Sequence, residues 1–396
     1  MATWNRDTPR IRTRGGVPFP TRRFSRILHL SQYRAELQLT ALSSNYELYG
    51  DMSRRTMEVL ARFTPDLEVY SIDEAFLRVS PRIAGDVQAL ADLGRDIRDT
   101  VRRLIGVPVC VGIAETRVLA KLSNRTAKKL PVFDGVCVWP GTRPDWRLSL
   151  MKRLPVSEIW GIASRLERRL VAMGITTIAD LAAADPVQIR KAFNVVVMRI
   201  ALELRGIPSI AAEEDRTGKK EQLIVSRSFS EKITTRAGMR QALSVYAQQA
   251  SARLVKHQQV AKLLTAFAGT SHYSEQRSFP SVLVKLPAPT ADPVELTRAA
   301  HTLLPLLEDG TRYARAGIML TDLRPAHVYE PLAPFRHPHE DLGIAELIEK
   351  VQRREGRDLL GLGYAGLRPG PAWQMKREML TPRATTHWDE LVTALA

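Results

Sequence analysis

Apolar positions recur at two different spacings along residues 41–150. Three segments repeat them every three or four residues, the spacing of an amphipathic helix, at residues 49–63, 87–104 and 119–130. Between the second and third segments, residues 107–113 form an apolar run with the length of a buried strand. Helices that alternate with strands predict a mixed α/β domain.

The spacing changes further along the chain, and these changes predict the domain boundaries. Only helical spacing occurs in residues 151–211, whereas residues 223–325 combine strand-like runs with two helical segments at 236–257 and 293–308. The predicted divisions are an irregular basic segment, a mixed α/β domain, a helical domain, a charged linker, an α+β domain and a looser C-terminal region, at residues 1–40, 41–150, 151–211, 212–222, 223–325 and 326–396. We expect one helix near residues 343–354 in the last division.

The charge of the chain indicates a polyanionic partner. The net charge is +16 and the pI is near 10.1, values that favour nucleic acid. Residues 1–35 supply +7 of this charge, because they hold eight arginines and one acid, Asp7. The remaining chain still carries +9, so its basic character does not depend on the N-terminal segment.

Cysteine content and the lengths of the apolar runs indicate the cellular compartment. The chain holds only Cys110 and Cys137, which argues against a disulfide framework or a zinc cluster. Apolar runs such as residues 195–198 are too short for a signal peptide or a membrane span. We therefore expect a protein of the reducing cytoplasm.

Two adjacent acids, Asp73 and Glu74, follow an apolar run that predicts a strand. Neighbouring strand residues point to opposite faces of a sheet, so both acids can serve one site only if the chain turns there. A turned acid pair suits hard divalent cations, and two such ions can support nucleotidyl transfer. The residues alone leave open whether the pair binds metal or is a solvated strand end.

Lys121 lies in the second turn of the predicted helix that follows the run at residues 107–113. A lysine near a helix start can contact a triphosphate as a point charge. A solvated lysine on a helix surface remains the alternative.

Two further segments have features suited to the DNA backbone. Gly161 and Gly174 punctuate a helix-hairpin-helix pattern, whose turn can present backbone N–H groups to phosphate, although an ordinary helical turn remains possible. Ala163 stands where the pattern usually has a second turn glycine. Arg227 and Ser228 begin the domain after the linker in a basic, hydroxyl-rich strand, a weaker indication of phosphate contact.

The order of these segments resembles that of the Y-family translesion DNA polymerases. The matching segments are residues 70–76, the block 112–129, the hairpin and the domain after the linker. Residues 42–49 and 373–383 are similar to the UmuC branch, the catalytic subunit of DNA polymerase V. The resemblance runs from about residue 41 to the C-terminus. It implies an α+β multidomain fold with a palm, a helix-hairpin-helix thumb, a little-finger domain and a UmuC-type C-terminal region.

The resemblance also implies an activity, which is error-prone synthesis past DNA lesions in the SOS response with two Mg²⁺ ions and deoxynucleoside triphosphates. Asp73 would be a ligand of both ions, and Glu74 would lie beside the ion that activates the primer 3′-hydroxyl. Lys121 would contact the incoming triphosphate. The residues that match DNA-contacting positions are Gly161, Ile162, Gly174, Arg227 and Ser228. The implied partners are damaged primer-template DNA, a processed UmuD dimer, RecA and the sliding clamp.

The N-terminal part departs from the family pattern. Relatives open with a strand of the form Asp-x-Asn-x-Phe-Tyr, which carries the first metal-binding aspartate and an aromatic steric gate, followed by a fingers segment. The only acids before Asp51 are Asp7, Glu36 and Glu47, and Asp7 has neither the apolar strand nor the aromatic gate. With this strand missing or replaced, we expect an opened palm sheet and little or no polymerase activity.

The departure leaves two interpretations open. The chain is either a polymerase subunit by family or a catalytically impaired remnant that still binds DNA. A frameshift, a wrong start or a truncated gene would explain the N-terminus, and we expect the missing pattern in the nucleotide sequence upstream of codon 41. Residues 330–335 are a weak candidate for clamp binding, because they keep a Phe but lack the usual Gln.

Overall fold

The computed structural model describes residues 2–4, 42–211, 221–328, 343–355, 360–366, 371–374 and 378–393. The chain forms two compact units. The first comprises Met1–Thr217 together with Glu378–Ala396, and the second comprises Gly218–Arg377. Among the described helices, none combines the length and apolar character that crossing a membrane requires.

The first unit combines a five-stranded sheet with a succession of helices. Its described elements are, in chain order, β1 (Ala2–Trp4), α1 (Tyr46–Leu60), β2 (Leu67–Val69), β3 (Glu74–Leu77), α2 (Val87–Ile105), β4 (Val109–Ile113), α3 (Arg117–Lys129), β5 (Val136–Val138), α4 (Pro144–Arg153), α5 (Ser164–Val171), α6 (Ile178–Ala183), α7 (Pro186–Ala192) and α8 (Val195–Leu204). The strand order is β2-β3-β1-β4-β5, in which β4 and β5 are parallel and the other neighbours are antiparallel.

Strand β1 corrects two expectations. We expected residues 1–40 to be irregular and the sheet to be open at this position, but Ala2–Trp4 lies between β3 and β4. Thr3 pairs with Glu74 on one side and with Cys110 on the other. A run of three residues is too short to show a strand period, so only the pairing with two neighbouring strands reveals it. The rest of the N-terminal segment lies outside the described residues.

Helices α2 and α3 cover opposite faces of the sheet. Val111 and Ile113 of β4 point toward α2, where they pack with Leu90 and Ile97 in one buried cluster. On the other face, Gly112 allows α3 to approach the strand closely, because a Cβ atom at this position would lie 2.1 Å from the backbone nitrogen of Asn124. Helix α3 is therefore held directly against β4, next to β1.

The second unit is a four-stranded antiparallel sheet with helices on it. Its described elements are β6 (Gln222–Ile233), α9 (Arg236–Lys256), β7 (Gln259–Thr270), β8 (Ser281–Thr290), α10 (Pro293–His301), β9 (Tyr313–Pro325) and α11 (Ile344–Glu355). The strand order is β6-β9-β7-β8. The predicted helix at 293–308 was too long: α10 ends at His301, and a short 3₁₀ turn follows at Leu304–Leu306. Pro305 explains this difference, because proline has no N–H to donate to the carbonyl four residues earlier, which is that of His301.

Trp373 anchors the C-terminal region in the core of the second unit. Its ring is 8% exposed and packs at 5.7 Å from the Phe229 ring and 6.0 Å from the Tyr246 ring. The backbone is fixed as well, since Ser230 donates from its N–H to the Trp373 carbonyl at 3.2 Å. Trp373 is therefore part of this core.

We expect Trp373→Ala to lower the free energy of unfolding by about 3–5 kcal/mol, because it removes a large buried ring and leaves a cavity. Urea unfolding of the full chain measures this change. Trp373→Phe should cost less, since the Trp373 Nε1 has no hydrogen-bond partner among the described residues. Trp388, which is 88% exposed, provides the matched control, and Trp388→Ala should change stability by less than about 0.5 kcal/mol. Equal effects of the two alanine variants would contradict the buried role of Trp373.

The last described segment, residues 378–393, packs in the first unit against the start of α1. Ser43 forms an isolated parallel bridge with Leu380 and donates from its N–H to the Met379 carbonyl at 2.7 Å. The buried Asn45 caps α1 and donates from Nδ2 to the Thr381 carbonyl at 3.0 Å. The two sequence stretches that resemble the UmuC branch, 42–49 and 373–383, therefore meet at this contact.

Candidate functional site

The turn between β2 and β3 fixes the position of the acid pair. The N–H groups of Tyr70 and Ser71 both donate to the Glu74 carbonyl at 3.0 Å, which closes the hairpin. Ser53 of α1 donates from its hydroxyl to the Ile72 carbonyl at 2.6 Å and so holds the turn against the helix. Asp73 is the last turn residue and Glu74 the first residue of β3. The turn that the adjacent acids required is therefore present.

Each acid has a defined partner. The Ser71 hydroxyl donates to Asp73 Oδ1 at 2.8 Å, and the Asp73 N–H donates to the same hydroxyl at 3.3 Å. Lys121 Nζ donates to Glu74 Oε2 at 2.7 Å, with 14% of the lysine side chain and 26% of the glutamate side chain exposed. The fold therefore brings Lys121 to Glu74 of the acid pair.

Two aromatic rings surround the Lys121 ammonium. Its Nζ lies 4.4 Å from the centroid of the Tyr70 ring and 4.8 Å from that of Trp160. The rings meet edge to face at 5.4 Å, and Trp160 Nε1 donates to the Tyr70 hydroxyl at 3.0 Å. Phe76 completes the cluster at 5.8 Å from Tyr70. Sequence analysis did not identify Trp160 as a site residue, because its distance from Lys121 along the chain gives no signal.

Glu203 lies near the C-terminal end of α8 and holds the beginning of α3 by hydrogen bonds. Its side chain, in a residue only 1% exposed, accepts hydrogen bonds from the N–H groups of Val118 at 2.9 Å, Ser209 at 3.2 Å and Ile210 at 2.8 Å. Its carbonyl accepts from the hydroxyl of Thr116, the residue that caps α3, at 2.8 Å. A carboxylate at a helix start also interacts favourably with the helix dipole. Glu203 thus fixes the helix that carries Lys121, and sequence analysis missed it.

The chain matches the model of the impB/mucB/samB family over residues 25–125, that family's C-terminal domain over 220–330 and a domain of unknown function over 344–394. It is 38% identical to UmuC of Salmonella typhimurium over 359 residues, which is 89% of this chain and 84% of that protein. MucB of Escherichia coli is 35% identical over 360 residues, 90% of this chain and 84% of that protein.

The chain belongs to the impB/mucB/samB family, the UmuC branch of the Y-family DNA polymerases. It is an error-prone translesion polymerase subunit of the SOS response, as its relatives are. A solved Y-family DNA polymerase chimera of Dbh and Dpo4 has the same fold, with a TM-score of 0.54, 23% identity, and coverage of 70% of this chain and 77% of that one. The family that the sequence motifs indicated is therefore confirmed.

The remaining residues that match the family's DNA-contacting positions lie in both units. Gly161 and Gly174, in the first unit, have φ angles of 89° and 81°, values that favour glycine. Ile162 between them is buried, so its side chain packs in the core. Arg227 and Ser228 lie exposed on β6 of the second unit. The candidate clamp segment at 330–335 lies outside the described residues.

Two acids of this UmuC-type site, Asp73 and Glu74, have the chemistry to contribute to a divalent-cation site. Asp73 and Glu74 supply carboxylate oxygens, the donors that Mg²⁺ prefers. Across the residues that the structure describes, no group of three or more His, Cys, Asp or Glu side chains could hold a metal ion. Strand β1 pairs with Glu74 through Thr3 and consists of Ala, Thr and Trp, so it adds no carboxylate.

Proposed function

We propose that this UmuC-type chain binds primer-template DNA and a deoxynucleoside triphosphate, and that its site is arranged for template-directed nucleotidyl transfer. The observation that supports this proposal most directly is the 2.7 Å contact between Lys121 and Glu74, next to Asp73. These residues match the family's metal-ligand and triphosphate positions, although Lys121 is far from the acids in the sequence.

Each residue has a proposed role. Asp73 and Glu74 would hold Mg²⁺, which would supply positive charge to neutralise phosphate and to lower the pKa of the primer 3′-hydroxyl. Lys121 donates to the triphosphate of the incoming nucleotide as a point charge. Its contact with Glu74 keeps the ammonium close to the place where the phosphates would bind. Residues on three separate segments, the β2–β3 turn, β3 and α3, would thus bind the nucleotide and orient it.

The proposed DNA contacts use the thumb and the little finger. The helix-hairpin-helix segment would present backbone N–H groups to phosphate at the glycine turns and at the start of α5, whose N-cap residue Ala163 makes no side-chain cap. Arg227 and Ser228 on β6 would contact the backbone of the same DNA. By family membership we also propose a processed UmuD dimer, RecA and the sliding clamp as partners, and the cytoplasm as the location.

A second candidate function is a DNA-binding remnant whose nucleotidyl transfer is impaired. The specific observation in its favour is the composition of β1, which pairs with Glu74 yet contains no carboxylate. Both candidates share DNA and nucleotide binding, and they differ in the rate of primer extension. A binding experiment therefore tests what they have in common.

We expect the DNA-bound chain to bind dATP in the presence of Mg²⁺, and Lys121→Ala to raise the Kd about 10- to 100-fold, the cost of losing a hydrogen bond to a charged group. Isothermal titration calorimetry on a complex with a dideoxy-terminated primer measures this without nucleotide transfer. Lys128→Ala is the matched control, since Lys128 is exposed near the far end of α3. If both lysine variants bound dATP as well as the parent chain does, the proposed role of Lys121 would be wrong.

A further inference from the structure

We propose that Trp160 is a positioning residue, which holds the Lys121 ammonium in place for the triphosphate through the aromatic seat formed by Tyr70 and Trp160. This inference rests on the proposed role of Lys121 and adds a specific residue to it. The Lys121 Nζ lies within 4.8 Å of both ring centroids, well inside the distance at which a cation is attracted to a ring.

The seat is fixed on both sides. Tyr70 is held by its N–H, which donates to the Glu74 carbonyl at 3.0 Å. Trp160 follows the buried Ile159 and precedes Gly161, whose positive φ turns the chain toward the buried Ile162. The 3.0 Å hydrogen bond from Trp160 Nε1 to the Tyr70 hydroxyl then sets the angle between the two rings.

The physical reason for such a seat is the flexibility of lysine. A lysine has four side-chain torsions, and ordering them at the moment of binding reduces affinity. Glu74 alone cannot keep the ammonium in position when its carboxylate turns to another ligand. The two rings remain in contact with the ammonium in that case, so part of the ordering is complete before a triphosphate binds.

The seat also links three segments of the first unit. Tyr70 belongs to the β2–β3 hairpin, Lys121 to α3, and Trp160 precedes the helices α5–α8. A displacement of the segment around Gly161 would therefore move Trp160 away from Lys121. Nucleotide affinity should consequently depend on how this segment is held, even though Trp160 itself need not touch the nucleotide.

A double-mutant cycle on dATP binding tests the inference. We expect Trp160→Ala to raise the Kd for dATP about tenfold in the DNA-bound, dideoxy-terminated complex with Mg²⁺. In the Lys121→Ala background the same substitution should have no further effect, because Trp160 acts through Lys121. Trp160→Phe keeps a ring but loses the hydrogen bond to Tyr70, so its effect should be smaller. Trp146→Ala, at another half-buried tryptophan of the first unit, is the control for general loss of packing.

The outcomes separate the inference from the proposed function. Additive effects of Trp160→Ala and Lys121→Ala would overturn the positioning role while leaving the role of Lys121 intact. The same conclusion would follow if Trp160→Ala and Trp160→Phe both bound dATP as the parent chain does. An unchanged Kd in Lys121→Ala would instead overturn the proposed function, and the inference with it. If Trp160→Ala failed to fold, Tyr70→Phe and Trp160→Phe would still test the ring-to-ring hydrogen bond in the same cycle.

Discussion

Primer extension by this chain with Mg²⁺ should be at least about a thousandfold slower than by a relative that carries the Asp-x-Asn-x-Phe-Tyr strand. Two metal ions stabilise the transition state of nucleotidyl transfer by several kcal/mol, and each 1.4 kcal/mol corresponds to a factor of ten in rate. Asp73 and Glu74 offer two carboxylates, and no described residue completes a group of three metal-binding side chains. A radiolabelled primer assay under single-turnover conditions measures the difference.

The register of β1 supplies a rescue variant for the same assay. Thr3 pairs with Glu74 in the backbone register of β1, so Thr3→Asp adds a carboxylate to the strand next to the acid pair. We expect this substitution to raise the extension rate above that of the parent chain. Thr3→Asn is the control, because it has a similar size without the charge. A parent chain that extends primers within tenfold of the complete relative would show that the described acids suffice.

Local chemistry in the sequence was enough to find the acid turn and the helices around it. The starts of α1 and α3 were misplaced by three and two residues, because the apolar period of these helices begins after the capping residues Asn45 and Thr116. These polar caps satisfy the first N–H groups of each helix and so define where it begins. A prediction that gave more weight to capping residues would have placed the starts of both helices more accurately.

The parts of the site that could not be predicted all depend on contacts between distant segments. Trp160 and Lys121 belong to different elements, and neither spacing nor composition connects an indole to a lysine ammonium. Strand β1 is too short to show a period, and its existence depends on two neighbours that lie more than 70 residues away in the sequence. Glu203 shares its helical segment, Val195–Leu204, with one other charged residue, Arg199, and nothing in that segment indicates that the Glu203 carboxylate is buried.

The buried position of Glu203 leads us to expect a stability effect as large as that of Trp373→Ala. Glu203→Ala should lower the free energy of unfolding by about 3–5 kcal/mol, because it leaves the buried N–H group of Val118 and the partly buried N–H group of Ile210 without their acceptor. Urea unfolding of the full chain measures this loss. Glu58→Ala is the matched control: Glu58 pairs with Arg54 on the surface of α1, and such a pair contributes about 0.3–0.5 kcal/mol.

Glu203→Gln separates the effect of the negative charge on stability from the effect of the side chain's shape. The amide keeps one carbonyl oxygen as an acceptor, but its NH₂ group faces an N–H donor, so we expect a loss between those of Glu58→Ala and Glu203→Ala. Because Glu203 fixes the start of α3, the Gln variant should also weaken dATP binding in the DNA-bound complex. If Glu203→Ala proved as stable as Glu58→Ala, the carboxylate would not be the group that holds α3 against the end of α8.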